Sequence, residues 1–318
     1  MVSLVVQNPG ERRVRIDDVR LAYPGSTEPG APVFLAAGLA LPLEIDAGSR
    51  ETWSGLCLAP PSPGTDRVRL ELSLSVRKGV KRERREESFE IALRLPPAPL
   101  VLDLPVGGAW RITQGHDCAT QHRRGKLAGE FAWDLAAVIE GGRSGSPRYA
   151  ETHRNEDSAT FGREVGAPVA GTVVAALDGV ADNDEQREFP RRSLVEIARA
   201  PRWIFGNYVV LDAGEGRFVL LAHLRKDSVA VKAGDHVARG QLLGHAGNSG
   251  NTVLPHLHVQ VMDRADPADP EASGLPAAFG DYVEITARGT ATIRDASVRR
   301  VAVGDPPQDA IVMRPESR

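Results

Sequence analysis

The sequence has few cysteines, few aromatic residues and no long hydrophobic run, and each of these absences excludes a class of protein. Its 318 residues include two cysteines, and 5% are aromatic. Cys57 and Cys118 lie in different predicted domains and in no Cys-x-x-Cys pair, so neither a disulfide framework nor a thiolate zinc site is expected. No segment reaches the ~18 consecutive apolar residues of a membrane span. We therefore expect no integral membrane segment.

Charge and missing motifs exclude further functions. A formal net charge of -3 gives no general attraction to nucleic acid or to acidic membranes, so no nucleic-acid partner is expected. The sequence has no His-Glu-x-x-His motif, no Gly-x-Ser-x-Gly elbow and no Walker loop. These absences argue against a helical zinc peptidase, a serine hydrolase and a nucleotide hydrolase.

The pattern of apolar residues predicts a mainly β protein whose first domain covers residues 1–96. Turn residues are plentiful, with 32 Gly and 23 Pro, and they separate short Val-, Ile- and Leu-rich runs. Alternation with polar residues predicts a strand with one apolar face, made by Val68, Leu70, Leu72, Leu74 and Val76. A charged hairpin tip follows at residues 77–87. We predict an immunoglobulin-like β-sandwich that serves as a structural or binding module.

A proline-rich break at residues 96–99 predicts the start of a second domain, which spans residues 97–284. All eight histidines lie beyond this break, and histidine is the residue that metal and acid–base chemistry use most. A segment rich in Gly, Ser, Arg and Glu interrupts the strands from Leu135 to Arg163, and we predict an inserted surface loop or lid at about residues 136–163. Residues 285–318 alternate weakly and predict an extension with short edge strands.

The strongest chemical signal is the segment 255–261, with the sequence PHLHVQV. Its alternation predicts a strand, and residues two apart on a strand point to the same face, so His256 and His258 project together. Leu257, Val259 and Val261 would then face a core. Such a pair fits a site where one imidazole binds a metal and the other handles protons. Two ordinary surface histidines fit the same pattern.

Three further residues extend this signal. His223 closes an apolar strand, where it is either a functional residue or a cap bonded to the backbone. Asp134 lies among apolar residues, where a carboxylate is costly unless it is paired or bound to a metal, so an ion pair with His122 and a metal site both remain open. Two histidines and one aspartate with a position left open form the ligand set of catalytic zinc.

The ordered set of motifs resembles the catalytic domain of the lysostaphin and LytM family of zinc peptidases. The similarity covers about half of the chain, residues 108–265, and its last block is highly specific. The motifs are FAWD at 131–134, VGAPVAGTVV at 165–174, GNYVVL at 206–211, LAHL at 221–224, VKAGDHVARGQLLG at 231–244, GNSG at 247–250 and PHLH at 255–258. The resemblance implies a LytM-like β-sheet domain with the duplicated hybrid motif.

The resemblance also implies a set of site residues. His122, Asp134 and His258 would bind one zinc ion per chain, and His223 and His256 would form the catalytic pair. Which of that pair is the general base and which stabilises the oxyanion stays open.

The first ligand pair departs from the family pattern. The family's usual first motif is a short His-x-x-x-Asp, whereas eleven residues separate His122 from Asp134 here. Some relatives have a longer spacing, so His122 is the expected ligand, and His116 is its competitor. His153 and Glu151 lie in the predicted insertion, and we expect them to add a contact whose role the pattern does not define.

The implied function is a zinc-dependent endopeptidase that hydrolyses peptide bonds of peptidoglycan stem peptides or cross-bridges with a metal-activated water. The main alternative is a metal-binding but non-hydrolytic regulator or adaptor of cell-wall hydrolases. The hairpin at residues 231–244 also resembles biotinyl and lipoyl carrier domains, but it has no lysine at its tip. The family implies an extracytoplasmic location, while residues 1–15 show no basic region and apolar core of a signal peptide, so the location is left open.

Overall fold

The structure is a computed structural model, and it divides the chain into two compact units, Met1–Pro96 and Pro97–Arg318. The residues that it describes are 2–22, 31–32, 42–56, 67–78, 81–92, 97–115, 122, 127–139, 152, 154–183, 202–287 and 296–315. Strands dominate both units, so the prediction of a mainly β fold is confirmed. Among these residues, no helix has the length and apolar character needed to cross a membrane.

The first unit contains two antiparallel sheets. Its described strands are β1 (Val2–Gln7), β2 (Val14–Ala22), β3 (Ala31–Pro32), β4 (Leu43–Ile45), β5 (Arg50–Leu56), β6 (Arg67–Lys78) and β7 (Lys81–Ala92). β1 pairs with β5, and the others form a sheet in the order β3-β2-β6-β7 with β4 beside β2. The predicted hairpin is confirmed, because β6 and β7 pair along their whole length and Val68, Leu70 and Leu72 are buried. Its tip is shorter than predicted, since residues 81–87 belong to β7. The immunoglobulin-like form of this unit stays a prediction.

The second unit is built on one long sheet. Its described strands are β8 (Leu100–Leu102), β9 (Ala109–Gln114), β10 (Trp133–Ala137), β11 (Glu164–Gly166), β12 (Gly171–Leu177), β13 (Asn207–Asp212), β14 (Phe218–Leu224), β15 (His236–Val237), β16 (Leu242–His245), β17 (Leu257–Met262), β18 (Ala277–Ala287), β19 (Ala296–Gly304) and β20 (Ile311–Met313). The sheet runs β15-β12-β13-β14-β17-β10-β9-β20-β18-β19, β8 joins β18, and β11 pairs separately with β16. Two short helices are described, a 3-10 turn (Asn155–Asp157) and α1 (Arg202–Phe205).

β17 lies inside the sheet between β14 and β10, and its alternation separates a core face from a polar face. As predicted, Leu257, Val259 and Val261 are buried in the main hydrophobic cluster of the unit. The residues between them, His258 and Gln260, are also buried but point to the opposite face. One face of the strand thus packs in the core, and the other faces polar neighbours.

The predicted insertion differs from the structure at both ends. Residues 135–137 do not belong to a loop, because β10 continues through them and all three are buried. Alanine at two of these positions fits between the flanking strands, and small residues of this kind hide a strand from a pattern search. At the other end, Thr160 is buried and its hydroxyl accepts the backbone N–H of Ala137 at 2.9 Å, so this part packs against the sheet. Residues 140–151 and 153, including Glu151 and His153, lie outside the described residues.

The C-terminal residues contribute more to the sheet than the weak alternation predicts. β19 is an edge strand, as expected, but β20 lies between β9 and β18 and pairs with both. Val312 on β20 has no exposed surface, and Glu284 on β18 is buried where Arg299 of β19 binds it at 2.7 Å. The weak pattern has a physical reason, since a strand of three residues offers too short a period to detect.

The internal position of β20 and the edge position of β19 predict that a valine-to-alanine substitution destabilises the protein more on β20 than on β19. Val312→Ala should lower the free energy of unfolding by about 2 kcal/mol, because it empties part of a closed core. Val303→Ala, at a side chain that is 53% exposed on β19, should change it by less than about 0.5 kcal/mol. Urea unfolding of the full chain followed by tryptophan fluorescence measures both. Equal effects would show that β20 is not an internal strand.

Candidate metal centre

The register of three neighbouring strands brings the predicted ligands together. His258 on β17 lies directly opposite Asp134 on β10 and opposite Ala222 on β14. Residues opposite one another in an antiparallel pair place their side chains on the same face, so Asp134 and His258 must meet there. His223 follows Ala222 near the end of β14, where a regular strand would turn its side chain to the other face.

Asp134 is the centre of the cluster. Its carboxylate oxygens lie 2.9 Å from Nδ1 of His258, 3.2 Å from Nε2 of His122 and 3.5 Å from Nε2 of His256. The four side chains are between 8% and 15% exposed, so the group is nearly buried. His223 completes it, with its ring centroid 4.6 Å from that of His256.

Backbone carbonyls orient three of the four imidazoles. Nδ1 of His122 donates to the carbonyl of Ala132 at 3.2 Å, and Nδ1 of His223 donates to the carbonyl of Ser249 at 2.8 Å. Nδ1 of His256 donates to the carbonyl of Leu254 at 2.7 Å. A carbonyl oxygen can only accept, so Nδ1 carries the proton in each ring and Nε2 keeps its lone pair. Each ring therefore offers Nε2 to the cluster.

A strained backbone aims the ring of His223. The register between β13 and β14 shifts at this point, and His223 has a φ of 61°, in the left-handed region that residues other than Gly seldom adopt. The sequence position could be interpreted either as a functional residue or as a strand cap. The structure shows that the residue bonds a backbone carbonyl through one ring nitrogen and faces the cluster with the other. Strain of this kind is concentrated at functional sites.

The glycine-rich motifs bring two chain segments close together behind His223. A Cβ at Gly206 would meet the backbone and hydroxyl of Ser249 at 2.4 Å, and Gly206 has a φ of 62°. The hydroxyl of Ser249 accepts the backbone N–H of Asn207 at 2.9 Å and donates to the carbonyl of Leu224 at 2.6 Å. This close approach fixes the carbonyl that holds His223.

The charges in the cluster shift the pKa values of its members in different directions. Burial alone would raise the pKa of Asp134, but the neighbouring His256 and His122 outweigh it and hold that pKa well below its usual range. Burial, then the neighbouring His256 and His258, lower the pKa of His223 well below that of an ordinary imidazole. For His122, burial lowers the pKa, but the charge and hydrogen bond of Asp134 outweigh it and the net shift is upward. A carboxylate and a neutral His223 therefore coexist in one small site.

The cluster meets the requirements of a zinc site. His122, Asp134 and His258 each offer one ligand atom, and these atoms all lie within 4.8 Å of one another. Zinc binds histidine nitrogen and carboxylate oxygen at ~2.1 Å, so the separations of 2.9 and 3.2 Å suit atoms that share one ion. Two imidazoles and a carboxylate are the donor set of catalytic zinc, which keeps further positions open.

The five residues expected at the site are thus found in one place. His122, Asp134 and His258 form the candidate ligand group, and His223 and His256 lie beside it. The competing ligand His116 lies outside the described residues. Sequence reasoning missed Gln260, whose amide contacts His258, although its place two residues beyond His258 on an alternating strand could have indicated it.

The fold and the site define a class of protein, a β-sheet domain with a candidate His/Asp metal centre, and comparison with known proteins adds a family match. Residues 152–270 match the family described as Peptidase family M23. The chain therefore contains a peptidase M23 domain, and the resemblance drawn from the sequence is confirmed. The matched residues include His223, His256 and His258 but neither His122 nor Asp134.

Individual relatives are similar over short segments. The peptidoglycan DD-endopeptidase ShyA of Vibrio cholerae is 38% identical over 73 residues, which are 23% of this chain and 16% of that protein. The peptidoglycan DD-endopeptidase ShyC of the same organism is 27% identical over 133 residues, which are 42% of this chain and 27% of that protein. The chain thus spans well under a third of either relative.

Solved structures give a weaker likeness. A zinc-containing peptidase from Vibrio cholerae is 16% identical, with 66% of this chain and 57% of that one covered and a TM-score of 0.31. A score this low carries no argument about fold or function.

Glycine in a strand is normally less stable than alanine, but the strained backbone at His223 predicts the reverse order for these two substitutions. In the presence of a metal chelator, His223→Gly should be more stable than His223→Ala by about 1 kcal/mol, because only glycine adopts a positive φ without cost. Both variants lose the imidazole, so the difference isolates the backbone. Thermal or urea unfolding measures it.

Ala222 supplies the control for this comparison. It is buried and has no positive φ, so Ala222→Gly should be destabilising by at least about 0.5 kcal/mol. An alanine variant at His223 that is as stable as the glycine variant would contradict the strained conformation.

Proposed function

We propose that this protein is a zinc-dependent endopeptidase that hydrolyses peptide bonds in peptidoglycan stem peptides or cross-bridges. The observation that carries the proposal is the meeting of two groups in one site. The candidate ligands His122, Asp134 and His258 lie within 4.8 Å of one another, and His223 and His256 present their Nε2 atoms beside them. A purely structural ion-pair cluster would have no reason to hold a second pair of oriented imidazoles.

The ligand group defines what the centre would hold. One zinc ion per chain, when bound there, supplies Lewis-acid polarisation of a peptide carbonyl and acidifies a water molecule. The low pKa of Asp134 keeps its carboxylate ionised and ready to bind a cation. The hydrogen bonds of His122 and His256 to backbone carbonyls keep their rings from turning.

His223 and His256 would carry the protons. Both rings offer an Nε2 lone pair, and the lowered pKa of His223 keeps that ring neutral. One ring takes the proton of the attacking water as the oxygen bonds to the carbonyl carbon. The other must first carry a proton on Nε2, and it donates that N–H to the carbonyl oxygen as negative charge develops there. The proton taken from the water passes to the leaving amine when the C–N bond breaks.

The choice of substrate rests on the relatives. Two proteins with similar segments are peptidoglycan DD-endopeptidases, and cross-linked peptidoglycan is therefore the substrate to test first. This protein would then be extracytoplasmic, because peptidoglycan lies outside the cytoplasm. The first unit contributes no described residue to the metal cluster, and we propose for it the role of a module that binds the wall or another protein.

Three histidine variants test the proposal through metal content and cleavage. Wild-type protein should contain one zinc ion per chain and should release new amino groups from purified peptidoglycan. His258→Ala should lose both properties. His223→Ala and His256→Ala should retain zinc and lose ~10²–10⁴-fold in rate, the usual contribution of a general acid or base.

His236→Ala is the matched control. His236 is exposed on β15, bonded to Thr172 and outside the cluster, so this variant should match the wild type in zinc and rate. Zinc binding without cleavage of any wall peptide would instead support the non-hydrolytic regulator. Full activity in His223→Ala and His256→Ala would remove the catalytic pair.

A further inference from the structure

Gln260 is a buried polar side chain that the proposed reaction does not use. It is 1% exposed, lies two residues beyond His258 on β17 and points to the same face of the sheet. Its Oε1 lies 2.8 Å from Nε2 of His258. The contact is on the far side of the imidazole ring from Asp134, which lies 2.9 Å from Nδ1.

The orientation of the Gln260 amide follows from its other partner. Its Nε2 donates to the carbonyl of Leu127 at 3.0 Å. A carbonyl oxygen accepts and cannot donate, so the nitrogen of the amide must face Leu127 and the oxygen must face His258. Oε1 in turn can only accept, and therefore Nε2 of His258 must carry the ring proton. In the neutral ring the lone pair is then on Nδ1.

This tautomer is the opposite of that of its neighbours. His122, His223 and His256 donate from Nδ1 to backbone carbonyls and present Nε2 to the cluster. His258 donates from Nε2 and presents Nδ1. The other three rings each donate to a backbone carbonyl, whereas His258 donates to the side chain of Gln260, so its tautomer depends on the identity of one residue.

We propose that Gln260 is a positioning residue that holds His258 in the Nε2–H tautomer and so makes Nδ1 the metal-binding atom. The inference rests on the metal centre of the proposed function. It extends that function by one residue that touches neither metal nor substrate. An acceptor on the outer nitrogen of a metal-binding imidazole fixes the ring and raises its basicity toward the metal.

The turn that contacts Gln260 strengthens the case. Leu127 and Ala128 have φ values of 79° and 55°, so two successive residues other than Gly lie in the left-handed region. The turn lies in the chain between His122 and Asp134. Such backbone persists only where its surroundings compensate its cost, and the hydrogen bond from Gln260 to Leu127 is one such contact. Gln260 thereby connects the segment that carries two candidate ligands to the strand that carries the third.

Two substitutions separate the acceptor role from a structural one. Gln260→Met has a similar length and removes both hydrogen bonds, so its zinc affinity, measured by competition with a chromophoric chelator, should fall ~10–100-fold. Gln260→Glu keeps an acceptor for His258 and loses the amide that donates to Leu127. Its affinity should stay within ~3-fold of the wild type or exceed it, because a carboxylate is the stronger acceptor. Circular dichroism checks that both variants are folded.

The exposed turn residue Gln241 provides the matched control. Its Oε1 accepts the backbone N–H of Ala238 at 3.1 Å in the turn between β15 and β16, and Gln241→Met should leave zinc affinity unchanged. Equal losses in Gln260→Met and Gln260→Glu would show that Gln260 acts by supporting the turn at Leu127, which overturns the proposal. Unchanged affinity in Gln260→Met would overturn it as well.

The wild-type protein gives a test that needs no variant. In histidine-labelled, zinc-loaded protein, long-range ¹⁵N–¹H spectra should show His258 with a slowly exchanging proton on Nε2 and zinc on Nδ1. Zinc on Nε2 would overturn the proposal. Zinc bound through Nδ1 without cleavage of peptidoglycan would leave this inference standing and remove the proposed function, while a wild type that binds no zinc would overturn both.

Discussion

The buried carboxylate of Asp134 is the constraint on which the site depends. An ionised carboxylate with a side-chain exposure of 10% is costly unless positive charge or hydrogen-bond donors surround it. Three imidazoles within 3.5 Å meet this requirement, and they belong to His258 on β17, to His256 just before that strand and to His122. The chain must therefore bring β10 beside β17 and bring His122 back over β10. The contacts that compensate this charge also bring together the candidate metal ligands.

A second polar network holds the loop that carries His256. The amide of Asn248 donates to Asn155 at 2.9 Å and accepts the hydroxyl of Thr252 at 3.1 Å, and that hydroxyl lies 3.1 Å from Nδ1 of His256. Asn183 donates its amide to the carbonyl of Thr252 at 3.2 Å. Buried networks of this kind are costly if they are half satisfied and rigid if they are complete. Here the network pairs the polar groups around His256, which explains why Asn155 and Asn248 are buried at 1% exposure or less.

Local signals were enough to predict the strand that carries His258, because a period of two over seven residues is direct evidence of one. An aspartate among apolar residues likewise marked Asp134, since burial of a charge needs a partner. The register shift at His223, the internal position of β20 and the contact of Gln260 with Leu127 all depend on pairing between distant segments. No window of the sequence contains both partners of such a contact. Residues 135–137 show the opposite failure, because two small alanines in a buried strand resemble the start of a loop.

The eleven residues between His122 and Asp134 are the clearest departure from the family's short motif, and the geometry shows why they can be accommodated. His122 is held by its contact with the carbonyl of Ala132 and by Asp134 itself, both of which lie at the start of β10. The chain between these points needs only to leave the strand end and return to it. Each doubling of such a loop costs about 0.6 kcal/mol in closure entropy, which is small beside the cost of an uncompensated buried carboxylate. The peptidase family match begins at residue 152 and so omits this half of the site, whose geometry constrains the two ends of the segment.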